Sequence, residues 1–208
     1  MSLPMKTIGS DTEHELVINR SRFICGLGRV DDEGAARDFV AARRKSHWNA
    51  THNCTAYRLG EQGEVQRSSD DGEPAGTAGV PMLEVLRQRE LTGVVAVVTR
   101  YFGGVKLGAG GLVRAYGRAV AEAVDAAELL TLRRLTVVTV RVDYQHGGGL
   151  EAELRRGDDQ LVAIRYGEGI ELDVAVSDAD AFGEWLASAT SGQADVAVTG
   201  ATTVEVAE

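Results

Sequence analysis

Cysteine and aromatic residues are scarce in this chain. Its 208 residues hold two cysteines, Cys25 and Cys54, with no C-x-x-C pair, which excludes a disulfide scaffold and makes a reducing cytoplasm the expected compartment. Aromatics make up only 5% against 44% hydrophobic and 25% charged residues, the balance of a globular chain and not of a disordered or fibrous one. No stretch approaches the roughly 18 consecutive apolar residues of a membrane helix, so no membrane partner is expected. Met1 to Ser10 carries one lysine and no apolar block, which does not read as a secretory signal. The H-E-x-x-H and G-x-S-x-G signatures are absent, as is any cysteine and histidine spacing that would complete a zinc site.

The net charge of −9 is unevenly placed. Residues 1–133 carry 17 basic and 17 acidic side chains, whereas residues 134–208 carry 5 and 14. An acidic module repels phosphate backbones, so nucleic-acid contact is expected on the first part and protein contact on the second. Solubility alone is the other reading of the acidic end.

Patterning supports an α+β chain in two domains. Leu16 to Asn19 and Phe23 to Val30 form a hairpin pattern, and Asp31 or Asp32 offers an N-cap to a helix ending in Arg43-Arg44-Lys45, cations that suit a helix C-terminus. Thr51 to Leu59 and Glu64 to Arg67 read as strands, and Pro81 fits the first position of a helix carrying Met82, Leu83, Val85 and Leu86. Gly93 to Thr99 contains the unbroken run Val94-Val95-Ala96-Val97-Val98, expected of a central strand covered on both faces. Leu112 to Leu129 has helical spacing. The pattern then restarts: a strand over Leu135 to Tyr144, a helix over Gly149 to Arg156, strands over Leu161 to Tyr166 and Ile170 to Val176, a helix over Asp178 to Ala189 and a strand over Val196 to Val206. That β-α-β-β-α-β order is the ferredoxin-like arrangement, and it divides the chain into domains 1–133 and 134–208.

Three constellations carry chemistry. The first runs from Arg100 through a glycine-rich loop into a helix. Amides at that helix start, with Gly108, Gly110 and Gly111 allowing close approach, can face an anion, and Lys106, Arg114 and Arg118 add charge, the two arginines at i and i+4 on one helical face. The loop satisfies neither the P-loop pattern nor the dinucleotide fingerprint, which would need glycine or alanine at Val113. Its glycines also fit a purely conformational need. Tyr101 and Phe102 stand beside Arg100, where aromatic rings either stack on exposed bases or pack in the core. The second constellation is Asp70, Asp71 and Glu73 with Thr77, oxygen ligands that suit Mg²⁺ but more readily cap turns and helix starts or pair with the nearby arginines, and the loop is also a candidate partner surface. The third is His47, His52 and Cys54, of which His52 and Cys54 share one face of a strand, the spacing of a nucleophile and base or of two metal ligands but more commonly of core residues.

These residues together bring a family into view. Ser69-Asp70-Asp71-Gly72-Glu73-Pro74-Ala75-Gly76-Thr77-Ala78-Gly79, Pro81-Met82-Leu83 and Val97 to Tyr116 (VVTRYFGGVKLGAGGLVRAY) resemble the YigZ/IMPACT family. The likeness extends to Ser21-Arg22-Phe23 and Asn49 to Cys54, covering most of residues 15–120 in order. It implies an N-terminal domain with the fold of the second domain of a small-subunit ribosomal protein, shared with GHMP-type kinases and parts of elongation factors. The C-terminal module resembles the family's bacterial second domain, similar in fold to a domain of elongation factor G. Family resemblance further implies nucleic-acid binding or a role in translation. The eukaryotic relative opposes activation of an initiation-factor kinase through an RWD domain not found in these residues, so that partnership is not carried over.

The expectation is therefore a non-enzymatic, translation-associated factor. It would bind RNA or ribosomal phosphate through Arg100, Lys106, Gly108, Gly110, Gly111 and Arg114, with no catalytic residue, metal or cofactor required. Two alternatives stand beside it: an enzyme holding a phosphorylated small molecule or nucleotide, with Mg²⁺ on Asp70, Asp71 and Glu73, and a protein-interaction module using the Asp70 to Thr77 loop.

Overall fold

The computed structural model describes residues Pro4–Gly157 and Asp159–Ala207. The chain forms two compact units. One comprises the described residues up to Leu132 with the end of the last strand from Val206, and the other spans Arg133–Glu205. The architecture is α+β, with antiparallel sheets and five helices among the described residues. No described helix is long and apolar enough to cross a membrane.

The first unit is built on strands β2 (Thr12–Ile18), β3 (Ser21–Arg29), β4 (His52–Leu59), β5 (Val65–Ser69) and β6 (Val94–Tyr101), in the order β2-β3-β6-β4-β5. The β2–β3 hairpin closes through Asn19 and Arg20, both at positive φ (47° and 66°), the two-residue turn whose twist matches that of the flanking strands. β6 is central, and its run explains itself. Val94, Ala96 and Val98 face one layer, made by helices α2 (Gly79–Gln88) and α3 (Gly108–Ala126). Val95 and Val97 face the other, under α1 (Glu33–Ser46), and all five are fully buried. Asp32 caps α1, accepting from the Ala35 amide at 2.8 Å. Of the basic triplet that ends α1, Arg43 pairs with Glu13 and Arg44 with Asp71.

A short strand missing from the sequence reading, β1 (Lys6–Ile8), pairs with the first residues of β7 (Leu129–Val142). That pairing extends β7 six residues upstream of the expected start at Leu135. The helix expected over Leu112–Leu129 accordingly begins and ends earlier, at Gly108 and Ala126.

In the second unit β7 lies between β10 (Asp195–Ala207) and β9 (Ile170–Val176), with β8 (Gln160–Tyr166) outermost. Helices α4 (Tyr144–Leu154) and α5 (Ala179–Ala189) complete the β-α-β-β-α-β order. Their apolar sides meet Val138, Val140, Leu172 and Val174 in a separate core. α4 starts five residues before the expected Gly149 because Asp143 caps it, accepting from the His146 amide at 3.0 Å. A Cβ at Gly147 would sit 2.3 Å from the Ile170 Cδ1 methyl, so a larger residue there would have to displace that side chain.

Candidate functional site

The site grows from the end of β6. Antiparallel register sets Arg100 opposite His52 of β4 on one side and Phe23 of β3 on the other, all three on the face that carries α2 and α3. The loop between β5 and α2 delivers Glu73 to the same point. Arg100 Nη1 donates to Glu73 Oε1 at 2.5 Å, and the Tyr116 hydroxyl of α3 donates to the same oxygen at 2.8 Å. Both members of this ion pair are removed from solvent, with side-chain exposures of 7% for Arg100 and 3% for Glu73. The guanidinium is further confined between two rings, 5.4 Å from the Phe23 centroid and 5.6 Å from that of Phe102. Arg100 Nε is buried without a hydrogen-bond partner among the described residues. Burial holds the Tyr116 phenol far above its ordinary value, so it stays a donor.

His52 stands across from Glu73. Its Nδ1 lies 2.8 Å from the Asp71 carbonyl oxygen, which only accepts, so Nδ1 carries the hydrogen and Nε2 points toward Glu73 Oε2, 3.8 Å away.

These groups open into a cavity of about 380 Å³. Thr51, His52 and Arg100 come from strand ends, Glu73 and Pro74 from the acidic loop, Phe102 and Lys106 from the glycine-rich loop, and Leu107, Gly108, Ala109 and Leu112 from the start of α3. Leu107 occupies the N-cap position and no side chain caps the helix, so the first-turn amides of α3 are left for solvent or a ligand. Gly108 adopts φ +69°, with open space where a Cβ would go, so its backbone conformation and not crowding calls for glycine. The Gly108–Gly110 surface is exposed, and the Arg114 guanidinium lies 3.6 Å from where a Cβ on Gly110 would be. Lys106 and Arg114 form no ion pair among the described residues, whereas Arg118 is taken by Glu122 at 2.7 Å.

The loop is pinned on both flanks. The Phe102 amide donates to Thr51 Oγ1 and the Gly103 amide to Ser21 Oγ, each at 3.1 Å. Phe102 remains 48% exposed at the cavity mouth. Tyr101 does not join it. Its hydroxyl meets His47 Nδ1 at 2.9 Å and its ring lies under Arg22.

The acidic loop divides into different tasks. Asp70 accepts from the amides of Gly76, Ala78 and Gly79 at 2.8–3.0 Å and so caps α2. That cap, placed nine residues upstream of Gly79, starts the helix two residues before Pro81. Asp71 accepts from the Asn53 amide and from Arg44, both at 2.7 Å. Thr77 donates to the Pro74 carbonyl at 2.6 Å. Of the three carboxylates, Glu73 alone lines the cavity, and the described residues contain no group of three or more His, Cys, Asp or Glu side chains placed to hold a metal.

Cys54 shares its strand face with His52, but its thiol donates to the Asp70 carbonyl at 2.9 Å and burial pushes its pKa up to about 12, unlike an activated nucleophile.

Asp70 supports a direct prediction. Burial alone would raise its pKa, but the three amide donors together bring it below the ordinary aspartate value. A depressed folded-state pKa adds stability that is complete above the unfolded value near 3.9 and lost as pH falls through the folded value. Asp70→Ala should cost about 1–2 kcal/mol at neutral pH, as a lost helix cap does, and Asp70→Asn should flatten the acid limb of the stability curve below about pH 4. Urea midpoints measured from pH 3 to 7 check both.

A second cavity of about 380 Å³ lies in the other unit beside Arg141 and Arg165. Its cations are committed: Arg165 holds Asp173 bidentately at 2.7 and 2.8 Å and Glu171 at 2.6 Å, and Arg141 holds Glu171 at 2.5 Å.

Comparison with known proteins places these residues in context. A family profile described as the Impact N-terminal domain matches residues 19–124, and one described as a Domain of unknown function (DUF1949) matches residues 140–193. The chain is 47% identical over 192 residues to IMPACT family member YvyE of Bacillus subtilis, covering 91% of this chain and 88% of the relative. It is 42% identical over 163 residues to IMPACT family member YigZ of Escherichia coli, covering 76% and 79%. A crystal structure described as that of a hypothetical protein is similar with a TM-score of 0.63 and 33% identity, over 96% of this chain and 98% of that one.

Proposed function

Starting from the IMPACT family, to which this chain belongs, we propose that its first unit is a non-enzymatic RNA-binding module acting around translation, one that seats a single nucleotide in the cavity beside α3. The observation that carries this reading is the convergence of unlike groups on one 380 Å³ space: uncapped helix amides and Lys106 for a phosphate, and the exposed Phe102 ring, backed by Arg100, for a base. A pocket with apolar walls and a few convergent polar groups is the usual form of a small-ligand site. Arg114, over the first turn of α3, extends the positive surface outward from the cavity mouth, where the rest of a strand would run.

Mg²⁺-dependent catalysis on the acidic loop has less support, because the oxygens of Asp70 and Asp71 are engaged with amides and Arg44. The acidic second unit repels phosphate and is assigned to protein contact.

Fluorescence anisotropy of a labelled single-stranded oligoribonucleotide with the full chain provides the test. Affinity should fall linearly on a log–log plot against salt. Lys106→Ala combined with Arg114→Ala should weaken binding and make the slope shallower by roughly 1.4, at about 0.7 per lost phosphate contact. An affinity that neither salt nor the double substitution changes would remove the proposal.

A further inference from the structure

The cavity has one wall that phosphate does not explain. Helix amides, Lys106 and Arg100 present donors and positive charge, but the facing wall presents acceptors. Glu73 Oε1 is fully used by Arg100 and Tyr116, which fixes the carboxylate in place and in rotation. Oε2 is left without a hydrogen bond among the described residues and lies toward His52 Nε2. With the hydrogen held on Nδ1 by the Asp71 carbonyl, the neutral form of the imidazole presents Nε2 bare, as a second acceptor. The two atoms, 3.8 Å apart, make no hydrogen bond with one another. A carboxylate on a side chain only 3% exposed, lining an open cavity with one oxygen unbonded, offers that oxygen to a donor from the ligand.

We infer that Glu73 and His52 hold the 2′,3′-cis-diol of a ribose, so that the site takes RNA by its 3′-terminal nucleotide. This rests on the RNA-binding reading above and names the part of the strand it grips. Two adjacent hydroxyls on one sugar can donate separately, one to Oε2 and one to Nε2. A nucleotide inside a strand has only its 2′-hydroxyl to give, because its 3′-oxygen is esterified, and a deoxynucleotide end has only its 3′-hydroxyl. A terminal ribonucleotide is therefore the strand position that satisfies both acceptors. Its 5′-phosphate belongs with the α3 amides and Lys106, its base with Phe102, and the preceding chain with Arg114.

The test varies the ligand first, so that it does not depend on a variant that folds. Four otherwise identical single-stranded oligonucleotides are compared against the full chain: RNA with a free 3′ end, the same RNA ending in a 2′-deoxynucleotide, the same RNA closed by a 3′-phosphate, and all-DNA. Free-ended RNA should bind about tenfold or more tightly than either end-modified RNA, the ratio expected when a hydrogen bond to a buried charged group is lost. The end-modified RNAs should keep the same salt slope. Equal affinity of all three RNAs, with salt dependence retained, overturns the diol assignment and leaves the RNA-binding reading standing. Absence of salt-dependent binding by every oligonucleotide overturns both. A nucleoside 5′-monophosphate that competes at the same concentration as the oligonucleotide, while its 2′-deoxy form does not, supports the diol contact and overturns RNA as the occupant. On the protein side, Glu73→Gln replaces an acceptor with an amide and His52→Phe removes the second one. Each should collapse the discrimination between free and deoxy ends, and a ratio unchanged in both folded variants would overturn the assignment.

Discussion

Truncating Glu73 to alanine should lower the stability of the first unit by about 3–5 kcal/mol, the cost of leaving a buried charge without its partner. The magnitude follows from what remains. Arg100 is held between Phe23 and Phe102 with its Nε already unpartnered, and Glu73 supplies the one hydrogen bond its guanidinium makes among the described residues. Tyr116 would lose the acceptor of its buried hydroxyl in the same step. Arg100→Met in the Glu73→Ala background should recover a large part of the loss, because a buried ion pair replaced by apolar groups is close to neutral where half a pair is not. Hydrogen exchange at the β6 amides, which report opening of the central strand, gives the measurement for each variant. A loss below about 1 kcal/mol for Glu73→Ala would mean that water reaches the guanidinium freely, contrary to its burial.

Gly103→Ala should be nearly as damaging, by about 1–3 kcal/mol or more, for a steric reason. A Cβ at this position would lie 2.1 Å from the Arg20 carbonyl carbon and 2.2 Å from its oxygen, and backbone atoms in a tight turn cannot step aside as the end of a side chain can. The strain has two outlets: opening the Asn19–Arg20 turn, or lifting the glycine-rich loop off Ser21. The second would move Phe102 and Lys106 together, so the variant should lose ligand binding as well as stability. Gly104→Ala is the informative contrast. Its added methyl would meet open space, leaving only the penalty of its φ of +84°. Thermal midpoints and anisotropy titrations of the two variants separate crowding from conformation.

The sequence was most legible where one force acted alone. The Val94 to Val98 run places β6 at the centre because burial on both faces leaves no alternation to confuse the reading. The Asp32 cap and the cations closing α1 are local signals of the same kind. Legibility failed where a distant partner decided the outcome. β1 and the upstream part of β7 exist by pairing with each other across more than a hundred residues. α4 accommodates three consecutive glycines, poor helix formers, because Asp143 starts it and Ile170 packs closely over the bare backbone at 147.

The candidate site divides in the same way. Lys106, Gly108 and Arg114 were readable from a cationic, glycine-rich stretch ahead of a helix. Glu73 belongs by sequence to an acidic cluster suited to capping or to pairing with arginines, and the fold selects it to neutralise Arg100 while its neighbours cap and brace. By spacing alone Tyr116 is one more member of the buried stripe of α3. A hydroxyl in an otherwise aliphatic helix stripe is itself a signal, since a buried tyrosine usually reaches for a polar partner.

The two cysteines carry a practical consequence. Cys25 and Cys54 flank Val98 in register, one on each neighbouring strand, and both are sealed from solvent with thiol pKa values near 12. Alkylating reagents should therefore leave the native protein untouched and modify it only when β3 or β4 parts from β6. The rate of labelling becomes a stopwatch for rupture of the central sheet, with no probe to engineer, and the same seclusion should spare the protein from peroxide.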